Sequence, residues 1–439
     1  MTVTHDVGRP ADEVLATDIL PTADACLFLE RQARRLLKPR TVPKSQRPLW
    51  LFGSRDTVHR RPRGVVGIIG TWNYPIFLNA VQMVQGLTAG NAVLWKPSEL
   101  TPELAAVLLE LFMEAGFPPD LLIRLPATRE AGPQLAEADV DHVIFTGSAD
   151  VGRKLAKRLG ERLVSSTLEL SGCDAAIIAA DADLPMAVAA TWWGATLNKG
   201  QTCIALRRIF VARTVYPAFV EQLRVKANSA PMPLMMLPQA TQAEALVKQA
   251  LEAGATLLQP GMPHAEDDPP RFPPTFVIDA RPDMAICRDA AFAPIAAVIP
   301  FDRIDEVVSA QRQSPYALGA SLFTNDRSLI AELDGKLTTG MVCINDVLAP
   351  TAHPATPFGG TRDSGWGVTQ GAEGLLEMTV PQAVSIRSGR FRPHYDTHPA
   401  TGDFLDGMLQ WKHAGRWRSR WSGFWKMVRA GMRIGTGKR

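Results

Sequence analysis

The stretch NKGQTCIALRR, residues 198–208, sets a single cysteine, Cys203, behind a Gly-Gln-Thr approach and ahead of an apolar run. A thiol there can be a packing group or a nucleophile. An ordinary thiol with a pKa of about 8.5 is mostly protonated near neutrality, so a nucleophile needs a base or a helix dipole close by. Thirty-four residues earlier, STLELSG puts Glu169 at the end of an apolar strand pattern. A carboxylate buried in that setting has a raised pKa, as a general base requires, whereas one on an edge strand faces water and does no chemistry. GIIGTWNYP presents Asn73 after another apolar run and before Pro75. Its amide is a neutral donor suited to an oxyanion, although Asn is also a common turn residue.

Two further turns carry polar groups of a different kind. In VLWKPSELTP, Lys96 and Glu99 could grip the hydroxyls of a ribose, or Ser98 and Glu99 could serve only as a helix cap and first-turn acid. In FTGSADVG, Gly147 and Ser148 open a helix whose free N–H groups could face a phosphate.

The elements that must position these residues are legible from Gly64 onward. Short runs such as VVGII, AVLW, HVIF, TLEL and AAIIA are apolar throughout and alternate with helically spaced stretches such as PELAAVLLELFMEAG. That pattern predicts parallel strands buried on both faces, an α/β fold with chemistry at the strand tips. Pro-rich connectors, APMPLMMLPQA and PGMPHAEDDPPRFPPTF, read as loops.

In combination and order, TWNYP, AGNAVLWKPSE, FTGS, LELSG, GQTC, FAP and PFGG resemble the aldehyde dehydrogenase superfamily from about Gly64 to Pro381, and the TWNYP and GQTC variants resemble its class 3, fatty-aldehyde-type branch. The resemblance implies a Rossmann-type parallel sheet for the cofactor and an α/β catalytic domain. The corresponding boundaries are 1–172 for a cofactor domain with a shortened N-terminus, 173–370 for the catalytic domain, 371–387 for a return segment and 388–439 for a linker and basic tail. It also implies NAD or NADP as cofactor, an aldehyde substrate oxidised to a carboxylic acid, and a homodimer. Cys203 would form a thiohemiacetal and then a thioester. Asn73 and the Cys203 N–H would hold the oxyanion, and Glu169 would activate water. Lys96, Glu99, Gly147, Ser148 and Phe292 would contact the cofactor, with Tyr74 and Phe358 beside the substrate.

The pattern breaks at RDAAFAPIA, where Ala290 stands in the place of an acid that binds the nicotinamide ribose in the family, and Asp289 on an extended segment would point the other way. ELSGC replaces the usual ELGGK, leaving Cys173 where lysine is common. A competing reading follows from these departures: a catalytically weakened homologue kept as a membrane-associated scaffold. Cys26, Cys173, Cys287 and Cys343 read as structural, Trp192 and Trp193 as core, and Lys199 as a surface residue. His394 and His398 are spaced like ligands but have no third partner nearby, so no metal is expected.

The 439 residues carry a net charge of +3 and sparse, unpaired cysteines, as expected of a cytoplasmic chain without a signal peptide. The charge is uneven. Residues 31–63 hold eleven Lys/Arg against Asp56 and read as solvated helix faces. The tail GRWRSRWSGFWKMVRAGMRIG gathers Trp417, Trp421, Phe424, Trp425, Val428 and Met432 on one helical face among arginines. Trp and Arg on an amphipathic helix suit an anionic membrane surface, here through residues 404–439, with docking on protein as the alternative. Nothing in the body of the chain points to nucleic acid.

Overall fold

The computed structural model describes residues 8–227, 229–259, 261–267, 270–389, 395 and 398–436. His394 lies outside them. The chain divides into two compact units, residues 1–39 with 59–382, and residues 40–58 with 383–439.

The first unit is built on two sheets. In one, β1 (Val65–Ile69), β2 (Ala92–Lys96), β3 (Leu122–Arg124), β4 (His142–Thr146) and β5 (Ser165–Glu169) run parallel in the order 5-4-1-2-3. The chain builds outward from β1 to β3 and then returns to the other side of β1. That reversal leaves a crevice between β1 and β4 at their carboxyl ends, the place where open α/β sheets take ligands. Val66, Ile68, Val143 and Ile144 are fully buried, which is why these strands read as apolar throughout rather than alternating.

The second sheet contains β6 (Asp174–Ile178), β7 (Leu206–Ala212), β8 (Thr256–Leu257), β9 (Thr275–Ile278), β10 (Ile295–Phe301), β11 (Gly319–Phe323) and β12 (Met341–Ile344), in the order 8-9-10-7-6-11-12. All its pairings are parallel except β8 with β9. The chain leaves the carboxyl end of β5 at Glu169 and enters β6 at Asp174 after only four residues. The carboxyl edge of the first sheet therefore meets the amino edge of the second. A late strand, β13 (Gly365–Trp366), pairs antiparallel with β5 and returns the chain to that seam.

Around the sheets lie α1 (Leu20–Leu36), α2 (Phe77–Thr88), α3 (Ala149–Glu161) and α4 (Leu184–Thr196). Trp192 of α4 stacks on Phe276 in the core, as expected. Cys173, Cys287 and Cys343 are buried, but Cys26 is exposed on α1, so packing does not account for it.

The second unit is a helical hairpin, α5 (Thr401–His413) and α6 (Trp417–Thr436), with residues 40–58. Gly407 and Gly423 let its helices touch backbone to backbone: a Cβ at Gly407 would come within 2.4 Å of the Met427 nitrogen. Phe424 packs against Trp411 of α5 while also meeting Trp421 and Trp425 edge-on, so it joins the outer aromatics to the covered side of the hairpin. Trp417, Trp421, Trp425 and Met432 form the outer stripe and are all more than half exposed. The basic stretch 31–63 is α-helical only to Leu36, with 3-10 turns at Lys44–Gln46 and Leu49–Leu51; residues 54–62 form a strand instead of a helix face, paired antiparallel with Arg40–Thr41. Among the described residues no helix is long and apolar enough to cross a membrane.

Candidate active site

The strand tips bring the expected residues to one seam. The Gly70 N–H donates to the Lys96 carbonyl at 2.9 Å, and the Gly147 N–H donates to the Glu169 carbonyl at 3.0 Å. The turn after β1 is thus tied to the end of β2, and the turn after β4 to the end of β5. Asn73 and Tyr74 follow β1; Ser148 caps α3, its hydroxyl accepting from the Val151 N–H.

Cys203 lies on the loop before β7, at the facing edge of the second sheet. Three consecutive residues of that loop, Asn198, Lys199 and Gly200, have φ of +48°, +59° and +72°. For the two non-glycine residues this costs roughly 1–2 kcal/mol each. The strain is held by neighbours. Asn198 Nδ2 donates to the Asn73 carbonyl at 3.0 Å, and buried Arg207 donates to the carbonyls of Gly200 and Ala293. A side chain at Gly200 would strike the Ala293 carbonyl, so glycine is required there.

Asn73 is buried. Its Oδ1 accepts from Thr71 Oγ1 at 2.8 Å, and its Nδ2 donates to the Gln201 carbonyl at 3.1 Å. One of its two N–H donors is therefore used, and the other remains for an oxyanion. Tyr74 Oη bonds to Thr202 Oγ1 at 2.7 Å, next to the cysteine.

Glu169 is buried and accepts a hydrogen bond from the Thr369 hydroxyl. Desolvation outweighs that bond and pushes its carboxyl up to about 7. The Cys203 thiol is pushed up to about 12, by burial first and then by the charges of Glu169 and Asp174, while the N–H groups of Ile204 and Cys203 act in the opposite direction. Asp174, buried at the start of β6, accepts from the Gly319 N–H at 3.0 Å and is itself raised to about 7 by burial. Two acids thus flank the thiol.

Cys203 opens onto a cavity of about 220 Å³ lined mainly by apolar side chains, among them Tyr74, Phe77, Leu78, Leu197, Leu348 and Phe358. Trp193, expected in the core, lines this cavity instead, because its neighbour Trp192 takes the inward side of α4. Phe358 exchanges backbone hydrogen bonds of 2.8 and 2.7 Å with Thr369, so the cavity wall and the partner of Glu169 are one bridge. Thr369, Thr202, Asn198 and Asp174 carried no sequence signal of their own: each is an ordinary polar residue whose role comes from a distant contact.

The donor set fits a dinucleotide at the adenosine end. Lys96 Nζ pairs with Glu99 at 3.0 Å, and Arg129 holds the other oxygen of Glu99 at 2.9 Å, which keeps that carboxylate ionised and able to accept from hydroxyls. Phe292 lies against Trp72, at a centroid distance of 6.2 Å, beside Asn73. At this other end Ala290 supplies no acceptor, and Asp289 is exposed. Among the described residues there is no group of three or more side chains able to hold a metal.

The chain is similar in sequence and fold to known proteins. The family model for aldehyde dehydrogenases matches residues 1–384. The 4,4'-diapolycopene aldehyde oxidase of a Methylomonas species is 31% identical over 435 residues, spanning 93% of this chain and 80% of that protein. The NAD(+) benzaldehyde dehydrogenase of Pseudomonas putida is 33% identical over 348 residues, 76% of this chain and 70% of that one. The crystal structure of a Mycobacterium tuberculosis aldehyde dehydrogenase complexed with NAD+ superposes with a TM-score of 0.81 at 29% identity, covering 89% of this chain and 81% of that one. The likeness runs through both sheets and the seam between them, and on that ground the chain belongs to the aldehyde dehydrogenase family.

Proposed function

We propose that this NAD(P)-dependent, aldehyde-oxidising enzyme uses Cys203 as its nucleophile, Glu169 as its base and Asn73 as its oxyanion donor, and that its substrates are apolar aldehydes of medium or long chain. The observation that carries this reading is a thiol at the floor of an apolar cavity with a buried carboxyl of pKa about 7 beside it. Cys203 Sγ attacks the carbonyl carbon while Glu169 takes the thiol proton. The oxygen of the thiohemiacetal is stabilised by the free N–H of Asn73 and the Cys203 backbone N–H. Lys96, Glu99 and the Ser148 end of α3 would hold NAD(P)+, which when bound would supply a two-electron acceptor for the hydride. Once Glu169 has released the thiol proton to solvent, it draws a proton from water as the water attacks the thioester, and it returns that proton to Sγ as the acid leaves. The competing scaffold reading finds no support in a site that retains nucleophile, base and donor together.

The TWNYP and GQTC variants, and the relative named for a diapolycopene aldehyde, support placing the chain nearer the fatty-aldehyde-type branch. The family resemblance supports a homodimer. The second unit supports delivery to an anionic membrane surface: its sixteen Lys/Arg against four Asp/Glu give it +12 and leave −9 for the rest of the chain, and its outer Trp stripe is bordered by exposed Arg416, Arg418, Arg420 and Arg429. The test of the catalytic reading is cofactor reduction across a series of aliphatic aldehydes, with Cys203→Ala as control. Efficiency should rise with chain length and vanish in the variant. Preference for short polar aldehydes refutes the substrate class, and turnover without Cys203 refutes the mechanism.

A further inference from the structure

The N-terminal segment holds a buried charged group that takes no part in the chemistry. Arg9 and Asp18 both have fully buried side chains and form an ion pair. Arg9 Nη1 also donates to Thr17 Oγ1 at 2.8 Å. Its guanidinium lies over the Tyr74 ring, 4.8 Å from the centroid. The other oxygen of Asp18 accepts from the Ile76 and Phe77 N–H groups at 3.1 and 2.9 Å, tying the pair to the start of α2. Thr17 and Asp18 sit on a π-helical turn, Leu15–Ile19, a widened geometry often found at functional sites.

Tyr74 carries this contact to the nucleophile. Thr202 Oγ1 donates to the Leu197 carbonyl at 3.4 Å, so the 2.7 Å bond from Tyr74 is donated by the phenol. Burial raises the phenol's pKa and keeps that proton in place. A second tie joins the same two segments, Lys199 Nζ donating to the Gly8 carbonyl at 2.7 Å. An ion pair taken out of water contributes little net stability compared with apolar side chains of similar volume. What it can supply is a fixed direction: a planar guanidinium clamped at both ends leaves the ring beneath it one position.

We propose that Arg9 is a positioning residue for the nucleophile: it fixes the Tyr74 ring, the Tyr74 hydroxyl fixes Thr202, and Thr202 sets the backbone of Cys203. This rests on Cys203 being the nucleophile. The strained loop 198–200 explains why an outside brace is needed, since three left-handed residues in a row relax once their contacts loosen.

The test is a set of full-length variants, Arg9→Met, Asp18→Asn, Tyr74→Phe and the double variant Arg9→Met/Tyr74→Phe. Each is assayed for Tm, for octanal oxidation with NAD+ or NADP+, and for the pH profile of Cys203 alkylation by iodoacetamide. Arg9→Met and Tyr74→Phe should each lower kcat roughly tenfold, the size of one lost hydrogen bond, with cofactor KM unchanged. The double variant should be no worse than the worse single one, and the alkylation profile should move in every variant. Asp18→Asn keeps an acceptor for Ile76 and Phe77 but turns an amide N–H toward Arg9, so it should show the same loss even if Arg9→Met does not fold. Wild-type kcat and alkylation in folded Arg9→Met or Asp18→Asn overturns the proposal, as do multiplicative losses in the double variant. Cys203→Ala separates the two readings: an active Cys203→Ala enzyme fails the catalytic assignment, whereas an inactive one beside neutral Arg9 variants fails the brace alone.

Discussion

Exchanging Glu169 for Gln tests two physical arguments at once, because they carry opposite signs. The amide keeps the volume of the side chain and an oxygen for the Thr369 hydroxyl, so the fold and the bridge to Phe358 persist. It cannot take a proton. General-base catalysis contributes about 10²–10⁴-fold, so kcat should fall by that factor and the acyl-enzyme should outlive a turnover. With the carboxyl at about 7, wild-type activity falls as pH drops through neutrality, and the variant should lose that limb. The thiol responds in the other direction. After burial, Glu169 is the largest cause of the high Cys203 pKa, so removing its charge lowers that pKa. Below its pKa, each unit of fall gives about tenfold more thiolate, and alkylation at fixed pH should speed up while turnover slows. Intact mass spectrometry after one equivalent of octanal with cofactor reads the acyl adduct, and iodoacetamide kinetics read the thiol. Unchanged turnover, a first-turnover burst with no adduct, or slower alkylation would each refute the reasoning.

Three other perturbations follow from the same geometry. Asn73→Ala should lower kcat by about 10²–10³-fold, the effect of one oxyanion donor, with little change in aldehyde KM; a loss confined to KM shows that the amide only packs. Ala290→Glu restores an acceptor where the cofactor's second ribose would lie and should tighten NAD+ or NADP+ binding tenfold or more by titration calorimetry; unchanged binding shows that another group has taken the role. Trp417→Ala/Trp421→Ala/Trp425→Ala in the full chain should abolish co-sedimentation with vesicles containing phosphatidylserine, and retained binding removes the membrane role from the outer stripe of α6.

The residues legible in the sequence are those whose signal is local. Asn73, Lys96, Ser148 and Glu169 each follow a short apolar run, and parallel sheets present such tips along one edge, so strand pattern and site reading reinforce each other. Thr369 was not legible: it meets Glu169 across two hundred residues of chain, and nothing in VTQG marks a threonine that will face a carboxyl. Arg9 and Asp18 were hidden for a related reason, since a lone arginine near a terminus reads as solvated until the Tyr74 ring appears beneath it. Phe424 shows the limit of a helical wheel. Spacing groups it with the neighbouring tryptophans, but only the partner helix decides which of two adjacent apolar faces is covered.

The energetics of the site have one demanding step. With Cys203 as nucleophile and Glu169 as its base, a thiol pushed well above a carboxyl near 7 keeps the proton on sulfur in the resting enzyme, and moving it to Glu169 ahead of any bond formation is uphill. Two oxyanion donors worth roughly 3–4 kcal/mol each offset such a cost, but they act only once negative charge has reached the carbonyl oxygen. Proton transfer and S–C bond formation must therefore overlap, since neither is affordable alone. The donors also have to be in place before the charge arrives, because reorganising them during the step forfeits their advantage. That requirement accounts for the strain tolerated at Asn198 and Lys199 and for the lacing of the loop to Asn73. The apolar cavity has a matching double effect: it raises both pKa values, which keeps the thiol protonated and inert toward other electrophiles, and it strengthens each hydrogen bond to the oxyanion by keeping water away. Opening the cavity to solvent would ease ionisation of the thiol and weaken the stabilisation that makes the attack productive.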